Sequence, residues 1–242
     1  MAKDFLLEGA ITDFRARNNL SPFQPVRIKS LLQQLDVLTI FKKMSQNFSG
    51  MALKAGNMKF ILVNSTHSIG RQHFTMLHEI YHLEIQKDFK SIICSDEQSR
   101  KEAEEERKAD NFAAEILMPK EGLFKRIPDF ERNFDKISIE TLFRLEQYFS
   151  CSRSALLNRL NSIGLLSKEK QELYKINILE DCKLLGFDDT LYKDGNHNLI
   201  IGDYGIKAKK LYDTDKISYS HFVNLMLDIG VDIEEPAEPM NE

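Results

Sequence analysis

The chain has 242 residues, a formal net charge of −4 at pH 7 and a hydrophobic fraction of 42%. This length allows one domain of ordinary size with an appendage, and the hydrophobic fraction is enough for a sizeable core. The negative charge argues against strong non-specific binding to nucleic acid. Charges throughout the first 19 residues argue against a signal peptide or a membrane span. Cys94, Cys151 and Cys182 are odd in number and widely spaced, so we expect reduced thiols in a cytoplasmic protein.

The N-terminal part of the chain predicts two helices followed by a small sheet. Asn, Ser and two Pro residues between Asn18 and Pro25 separate the helices, and a Gly56-Asn57 turn joins the last two strands. We expect an antiparallel sheet beneath the next helix. The predicted segments are helices over residues 3–18 and 26–35 and strands over residues 37–44, 49–54 and 59–64.

An HExxH motif at residues 78–82 lies in the next predicted helix, over residues 71–85. At about 100° per residue, His78 and His82 project from one helix face, so their imidazoles can bind one tetrahedral metal. Glu79 lies beside them and can accept a proton from the attacking water and return it to a leaving amine. Scattered hydrogen bonds would satisfy these polar groups in an apolar helix less completely than a metal would. The motif therefore predicts a zinc hydrolase.

A third metal ligand is expected on a second helix, which runs from Asp96 to about Leu117 before Pro119. Most of its charges are typical of a solvated face. Three glutamates can face inward, and spacing alone does not separate them: Glu102, Glu105 and Glu106. Asp110 favours Glu106, because a metal-bound His usually donates its other ring N–H to a carboxylate. Cys94 is a minor alternative ligand.

The two predicted helices together resemble the ImmA/IrrE metallopeptidases. The stretches RQHFTMLHEIYHL and EERKADNFAAEILMP match the motifs of that family, and Asn64 at the end of the strand KFILVN matches as well. The resemblance covers about residues 49–119, with looser similarity to Leu166. The matching residues are Asn64, Arg71, Phe74, Thr75, His78, Glu79, His82, Glu106, Ala109, Asp110, Phe112, Ala113, Leu117, Met118 and Pro119.

The resemblance implies a zincin fold in which zinc is bound by His78, His82 and Glu106, with Glu79 as catalytic base. It also implies a protein substrate, typically a helix-turn-helix repressor whose cleavage relieves repression. Residues 49–54 or 59–64 are the candidate edge strand for an extended substrate, although each can equally be an ordinary core strand. Tyr81 departs from the family pattern, which often has a small residue there; we expect the change to affect packing more than chemistry. No residue is identified as the oxyanion donor.

Residues 137–166 read as helix, turn, helix, with Ser150-Cys151-Ser152 as the turn. Arg153, Asn158 and Arg159 could face DNA in such a motif. Residues 131–170, however, contain seven Lys or Arg against five Asp or Glu, which is too balanced for a phosphate-binding surface. We therefore favour a structural helical pair over DNA binding, which stays possible.

The remaining sequence predicts helices over residues 168–185 and 218–229, a loop-rich region over residues 188–205 with a short strand NLIIGD, and a disordered acidic tail. Isolated histidines are not placed at the zinc site, although His73 could line the cleft. They are His67, His73, His197 and His221.

The predicted fold class is α+β: a zincin-like metallopeptidase domain followed by a helical region. The predicted divisions are residues 1–130 for the metallopeptidase, 131–167 for the helix-turn-helix-like region, 168–230 for a helical C-terminal region and 231–242 for the tail. The leading functional prediction is a zinc endopeptidase of the ImmA/IrrE type. The alternative is a DNA-binding or partner-binding regulator in which the metal is structural or the site is inactive.

Overall fold

A computed structural model of the chain describes residues 5–87, 89, 100–231 and 233. Its α+β architecture confirms the predicted fold class. The elements in chain order are α1 (Phe5–Arg17), α2 (Ile28–Gln34), β1 (Val37–Lys42), β2 (Gly50–Ala55), β3 (Met58–Asn64), α3 (Ile69–Glu84), α4 (Arg100–Leu117), α5 (Lys120–Arg126), α6 (Ile139–Phe149), α7 (Arg153–Ser162), α8 (Lys168–Tyr174), α9 (Ile178–Leu184), β4 (Ile200–Ile201), α10 (Tyr204–Asp213) and α11 (Tyr219–Asp228).

The sheet has the strand order β2-β3-β1-β4 and is mixed, so the expectation of an antiparallel sheet is wrong. β2 and β3 form the predicted antiparallel hairpin, but β3 then enters between β2 and β1 and runs parallel to β1. Ile61 and Val63 of β3 are fully buried, which suits the central position. β3 is therefore excluded as a substrate-binding edge strand, and β2 lies at the edge.

Asn64, at the end of β3, holds the loop that carries the chain from β1 to the far edge of the sheet. Its side-chain amide donates to the carbonyl oxygens of Ser45 at 2.8 Å and Phe48 at 2.7 Å. Its Oδ1 accepts from the backbone N–H groups of Met44 and Thr66. Because Asn64 is fully buried, these bonds satisfy backbone groups that water cannot reach. The loop geometry places β2 against α3.

Helix α3 packs on the sheet and against α4, in one continuous hydrophobic core that extends from α1 to β4. Met76, Leu77 and Ile80 of α3 are fully buried, as the apolar periodicity predicts. Ala109 and Ala113 of α4 are fully buried as well, and their small side chains allow the two helices to approach closely. This close approach brings the HExxH motif of α3 and the Glu106 segment of α4 together.

The helical pair α6 and α7 is built as predicted, with side-chain caps at Ser138 and Ser152 and a left-handed Ser150 between the helices. The suggestion that Arg153 and Arg159 face DNA is wrong, because both side chains are buried. Arg153 pairs with the fully buried Glu146 of α6. Arg159 Nε donates to the carbonyl oxygen of Met118 at 3.1 Å. Arg153 thus joins the two helices of the pair, and Arg159 attaches the pair to the end of α4.

The C-terminal region differs from the sequence prediction in its helices. The helix predicted over residues 168–185 is divided into α8 and α9, because Asn177 adopts a left-handed backbone with φ of +55°. α5 and α10 were not predicted. α10 begins at Tyr204, beside Gly205, where the expected loop ends. The predicted acidic tail lies outside the described residues, apart from Val231 and Ile233.

Residues 193–201, here called the closing segment, cross the N-terminal end of α3 and then form β4. The Ile69 N–H donates to the Lys193 carbonyl oxygen at 2.8 Å. The buried amide of Gln72 donates to the Gly195 carbonyl oxygen at 3.1 Å and accepts from Asn196 at 2.9 Å. β4 then pairs antiparallel with β1. The closing segment thus covers both the helix end and one sheet edge.

None of the helices in the described part of the chain combines the length and apolar composition that a membrane span requires.

Candidate metal centre

Helix α3 presents His78 and His82 on one face, one turn apart, as the HExxH spacing predicts. Their Nε2 atoms lie 3.2 Å from each other. Helix α4 adds Glu106, whose carboxylate oxygens lie 3.0 Å from His78 Nε2 and 3.5 Å from His82 Nε2. Within the described residues, this is the group of His, Cys, Asp and Glu side chains that could hold a metal ion.

The three side chains fit a zinc ion in number, type and spacing. Ligand atoms about 2.0–2.1 Å from a tetrahedral zinc lie roughly 3.3 Å from one another. The distances among His78, His82 and Glu106 bracket that value. Two imidazoles and one carboxylate also form the ligand set of catalytic zinc sites, which keep a fourth position open. The chain therefore supplies three of the four ligands of a tetrahedral zinc ion.

Each histidine is oriented by a hydrogen bond from its outer ring nitrogen. His78 Nδ1–H donates to Asp110 Oδ1 at 2.9 Å, the contact expected of Asp110 from its position in the sequence. His82 Nδ1–H donates to Gln86 Oε1 at 2.5 Å, a partner that was not predicted from the sequence. Gln86 lies four residues after His82, and this spacing could have identified it. Both bonds direct Nε2 toward the shared centre, the orientation that a metal ligand needs.

The pKa values of the cluster follow from burial and from the hydrogen bonds within it. Burial alone would lower the pKa of His78, but its hydrogen bonds to Asp110 and Glu106 raise it to about 10. Burial lowers the pKa of His82. The hydrogen bond from His78 lowers the pKa of Glu106. Without a metal, the cluster thus holds a proton on His78 that a bound cation would displace.

Glu79 is buried beside the cluster, against the edge strand β2. Burial raises the pKa of Glu79 to about 7, and the Ala52 N–H of β2 opposes this by donating to its carboxylate. β2 approaches closely at Gly50, where an added Cβ would lie 3.3 Å from Glu79 Oε1 and 2.5 Å from Thr75 Cγ2. A carboxylate with a pKa near neutrality is matched to accepting and returning a proton. Sequence reasoning did not identify Gly50 or Ala52.

The alternative third ligands are placed differently. Glu105 Oε2 accepts a hydrogen bond from the Tyr81 hydroxyl at 2.8 Å and is not part of the His–His–Glu cluster. Glu102, three residues earlier, does not belong to the cluster either. Cys94 lies outside the described residues. Tyr81 is buried and directed toward α4, in agreement with the packing role expected of it.

The four isolated histidines stay outside the cluster. His73 bonds through Nδ1 to the Ser150 carbonyl oxygen, so the suggestion that it lines the cleft is wrong. His67 Nε2 contacts the Gln46 carbonyl oxygen, and His197 contacts Ser65 and Asp194. His221 is exposed on α11.

Comparison with known proteins agrees with this geometry. The Peptidase_M78 family model, described as the IrrE N-terminal-like domain, matches residues 32–161, which are 130 of the 242 residues. The match spans the sheet strands β1 to β3, both helices of the cluster and the pair α6 and α7. A search of curated proteins finds none that matches the chain. Because the match covers more than half of its length, the chain belongs to the Peptidase_M78 family of IrrE N-terminal-like metallopeptidases.

Proposed function

We propose that the protein is a zinc-dependent endopeptidase that acts in the cytoplasm. The observation that carries this proposal is the convergence of His78, His82 and Glu106 beside the buried carboxylate of Glu79. Bound zinc supplies a Lewis acid that polarises a peptide carbonyl group. Glu79 accepts the proton of the attacking water and later donates it to the leaving nitrogen. Asp110 and Gln86 keep the two imidazoles in the orientation that ligation requires.

We propose a helix-turn-helix repressor as the substrate, bound as an extended strand along β2. Family resemblance supports the class of substrate, and two structural facts support the strand. β2 is the edge of the sheet, and its Ala52 N–H lies at Glu79. Strand addition at such an edge uses main-chain hydrogen bonds and delivers a peptide bond to the neighbouring catalytic group.

A regulator that binds DNA or a partner through a structural metal is the second candidate. The burial of Arg153 and Arg159 argues against DNA binding by this regulator, since two of the three residues suggested for DNA contact lie inside the protein. Salt-dependent binding to the promoter of the chain's own gene would support this regulator. A buried Glu79 beside three ligands favours the peptidase, because a structural zinc site is closed by four protein ligands.

The decisive experiment replaces Glu79 by Gln and follows cleavage of a helix-turn-helix protein encoded beside the gene. We expect zinc content and fold to be unchanged and cleavage to be abolished, because the amide has no basic oxygen to accept the proton. Glu121→Gln, on the exposed start of α5, is the matched control and should cleave normally. Continued cleavage by Glu79→Gln would disprove the mechanism.

The ligand assignment is tested separately by Glu106→Ala and measurement of bound zinc. Two histidines alone hold zinc far more weakly than three ligands, so we expect most of the metal to be lost on dialysis. Full zinc occupancy in this variant would show that another residue completes the site.

A further inference from the structure

The Tyr81 hydroxyl connects the two ligand helices next to the metal centre. It donates to Glu105 Oε2 at 2.8 Å. Tyr81 directly precedes His82 in α3, and Glu105 directly precedes Glu106 in α4. Each partner of this hydrogen bond is therefore the chain neighbour of a candidate ligand, and a change in the bond acts on both ligand helices at once.

The N-terminal part of α4 depends on such polar contacts. Ala109, Phe112 and Ala113 anchor the later part of α4 in the core, where all three are fully buried. None of the side chains that the structure describes between residues 102 and 108 is buried. Glu106 belongs to this shallow part, and its side chain is 46% exposed. Apolar packing therefore places Glu106 only through the later part of α4, which begins one turn further on at Ala109.

Both partners of the bond are themselves held in place. The Tyr81 ring is 3% exposed and packs edge-on against His82, with ring centroids 5.6 Å apart. Its centroid lies 5.7 Å from that of Phe112 on α4. Glu105 Oε1 accepts from Lys108 Nζ at 2.9 Å. A hydrogen bond between two restrained side chains fixes the distance between the helices that carry them, whereas a bond between mobile surface side chains does not.

We propose that Tyr81 and Glu105 are a positioning pair, which holds the start of α4 where Glu106 completes the metal site. This role rests on the proposed zinc function. Neither Tyr81 nor Glu105 supplies a ligand atom to the His–His–Glu cluster, so metal binding does not compete for this hydrogen bond. It thereby keeps Glu106 within reach of the two imidazoles before the metal arrives, which raises the affinity of the protein for zinc.

The first test is the zinc dissociation constant of Tyr81→Phe, measured by competition with a chelator. The substitution keeps the ring packing and removes the hydroxyl group. We expect the dissociation constant to rise about tenfold, the lower end of what partners outside the ligand shell contribute. Tyr148→Phe is the matched control, since it removes a hydroxyl group that donates to the Phe23 carbonyl oxygen. The control should bind zinc as the wild type does.

The second test pairs that variant with changes at Glu105. Glu105→Gln keeps an oxygen that accepts from Tyr81 and should lose less affinity than Glu105→Ala. Removing a carboxylate also weakens attraction to a cation, so the double variant Tyr81→Phe/Glu105→Ala separates the two effects. We expect loss of the hydroxyl group to cost no further affinity once Glu105 is Ala. Additive losses would overturn the pair.

Two readouts distinguish positioning from a general loss of stability. Cobalt bound in place of zinc should give a weaker visible absorption in Tyr81→Phe, because the coordination geometry changes. Lower stability of the metal-free variant with an unchanged zinc affinity would overturn the proposal. Zinc bound equally by wild type and Tyr81→Phe would overturn the pair alone, whereas a wild type that binds no zinc would overturn the proposed function as well.

Discussion

Replacement of Gly50 by Ala should destabilise the protein and slow catalysis together. The added Cβ would lie 2.5 Å from Thr75 Cγ2 and 3.0 Å from the Leu62 carbonyl oxygen. Carbon atoms in contact are normally about 3.5–4.0 Å apart, so β2 must move by about 1 Å. Overpacking of this kind destabilises the folded state by about 1–3 kcal/mol. Ala offsets about 0.4–1 kcal/mol of this, because it lowers the conformational entropy of the unfolded chain. We expect a net loss of about 1–2 kcal/mol.

Urea denaturation of the metal-free protein measures this loss. Gly9→Ala is the matched control, because Gly9 is exposed inside α1 with no atom within 4 Å of an added Cβ. It should raise stability by about 0.5–1 kcal/mol. Movement of β2 also displaces the Ala52 N–H from Glu79, so cleavage should fall by about tenfold or more while zinc stays bound. A Gly50→Ala protein that matches the wild type in both stability and cleavage would refute this reasoning.

Three further predictions concern protonation and the core. The pKa of His78 is about 10 and that of His82 is lowered, so zinc that binds near neutral pH displaces one proton, from His78. The zinc affinity, measured by competition with a chelator near pH 7, should therefore rise about tenfold per pH unit. A hundredfold rise per pH unit would contradict this. Arg153→Ala leaves Glu146 buried without its cation and should cost about 3–5 kcal/mol in urea denaturation; an unchanged stability would contradict this. Asn196→Gly is compatible with the backbone φ of +60° at this position, but it removes the side chain that donates to Gln72. The free energy of unfolding should therefore fall by about 1–3 kcal/mol, and an unchanged urea midpoint would exclude this contact.

The metal cluster could be predicted largely from the sequence, because its geometry is local to two helices. The i, i+4 spacing of His78 and His82 determines their common face whatever the tertiary fold. Glu105 and Glu106 differ by only about 100° around α4, so the choice between them depends on how that helix is rotated against α3. Asp110, on the same face as Glu106, favoured that choice and family resemblance agreed with it; the structure places Glu106 with the histidines and Glu105 with Tyr81.

Long-range pairing was beyond prediction from local patterns. A strand pattern shows which residues alternate between faces, but it does not distinguish parallel from antiparallel neighbours, so the insertion of β3 beside β1 was missed. Arg153 illustrates a second gap. Exposure of an arginine is the usual expectation, and its burial depends on Glu146, seven residues earlier on another helix.

The position of the closing segment late in the chain affects how the protein folds during synthesis. β1 leaves the ribosome about 160 residues before its partner β4. The β1 edge of the sheet and the start of α3 therefore stay exposed while most of the chain is synthesised. Shortening the protein to the family-matched residues 32–161 would leave that β1 edge permanently open to pairing with other chains. We therefore expect such a fragment to aggregate and the newborn protein to acquire its mature fold only after residue 201 has emerged.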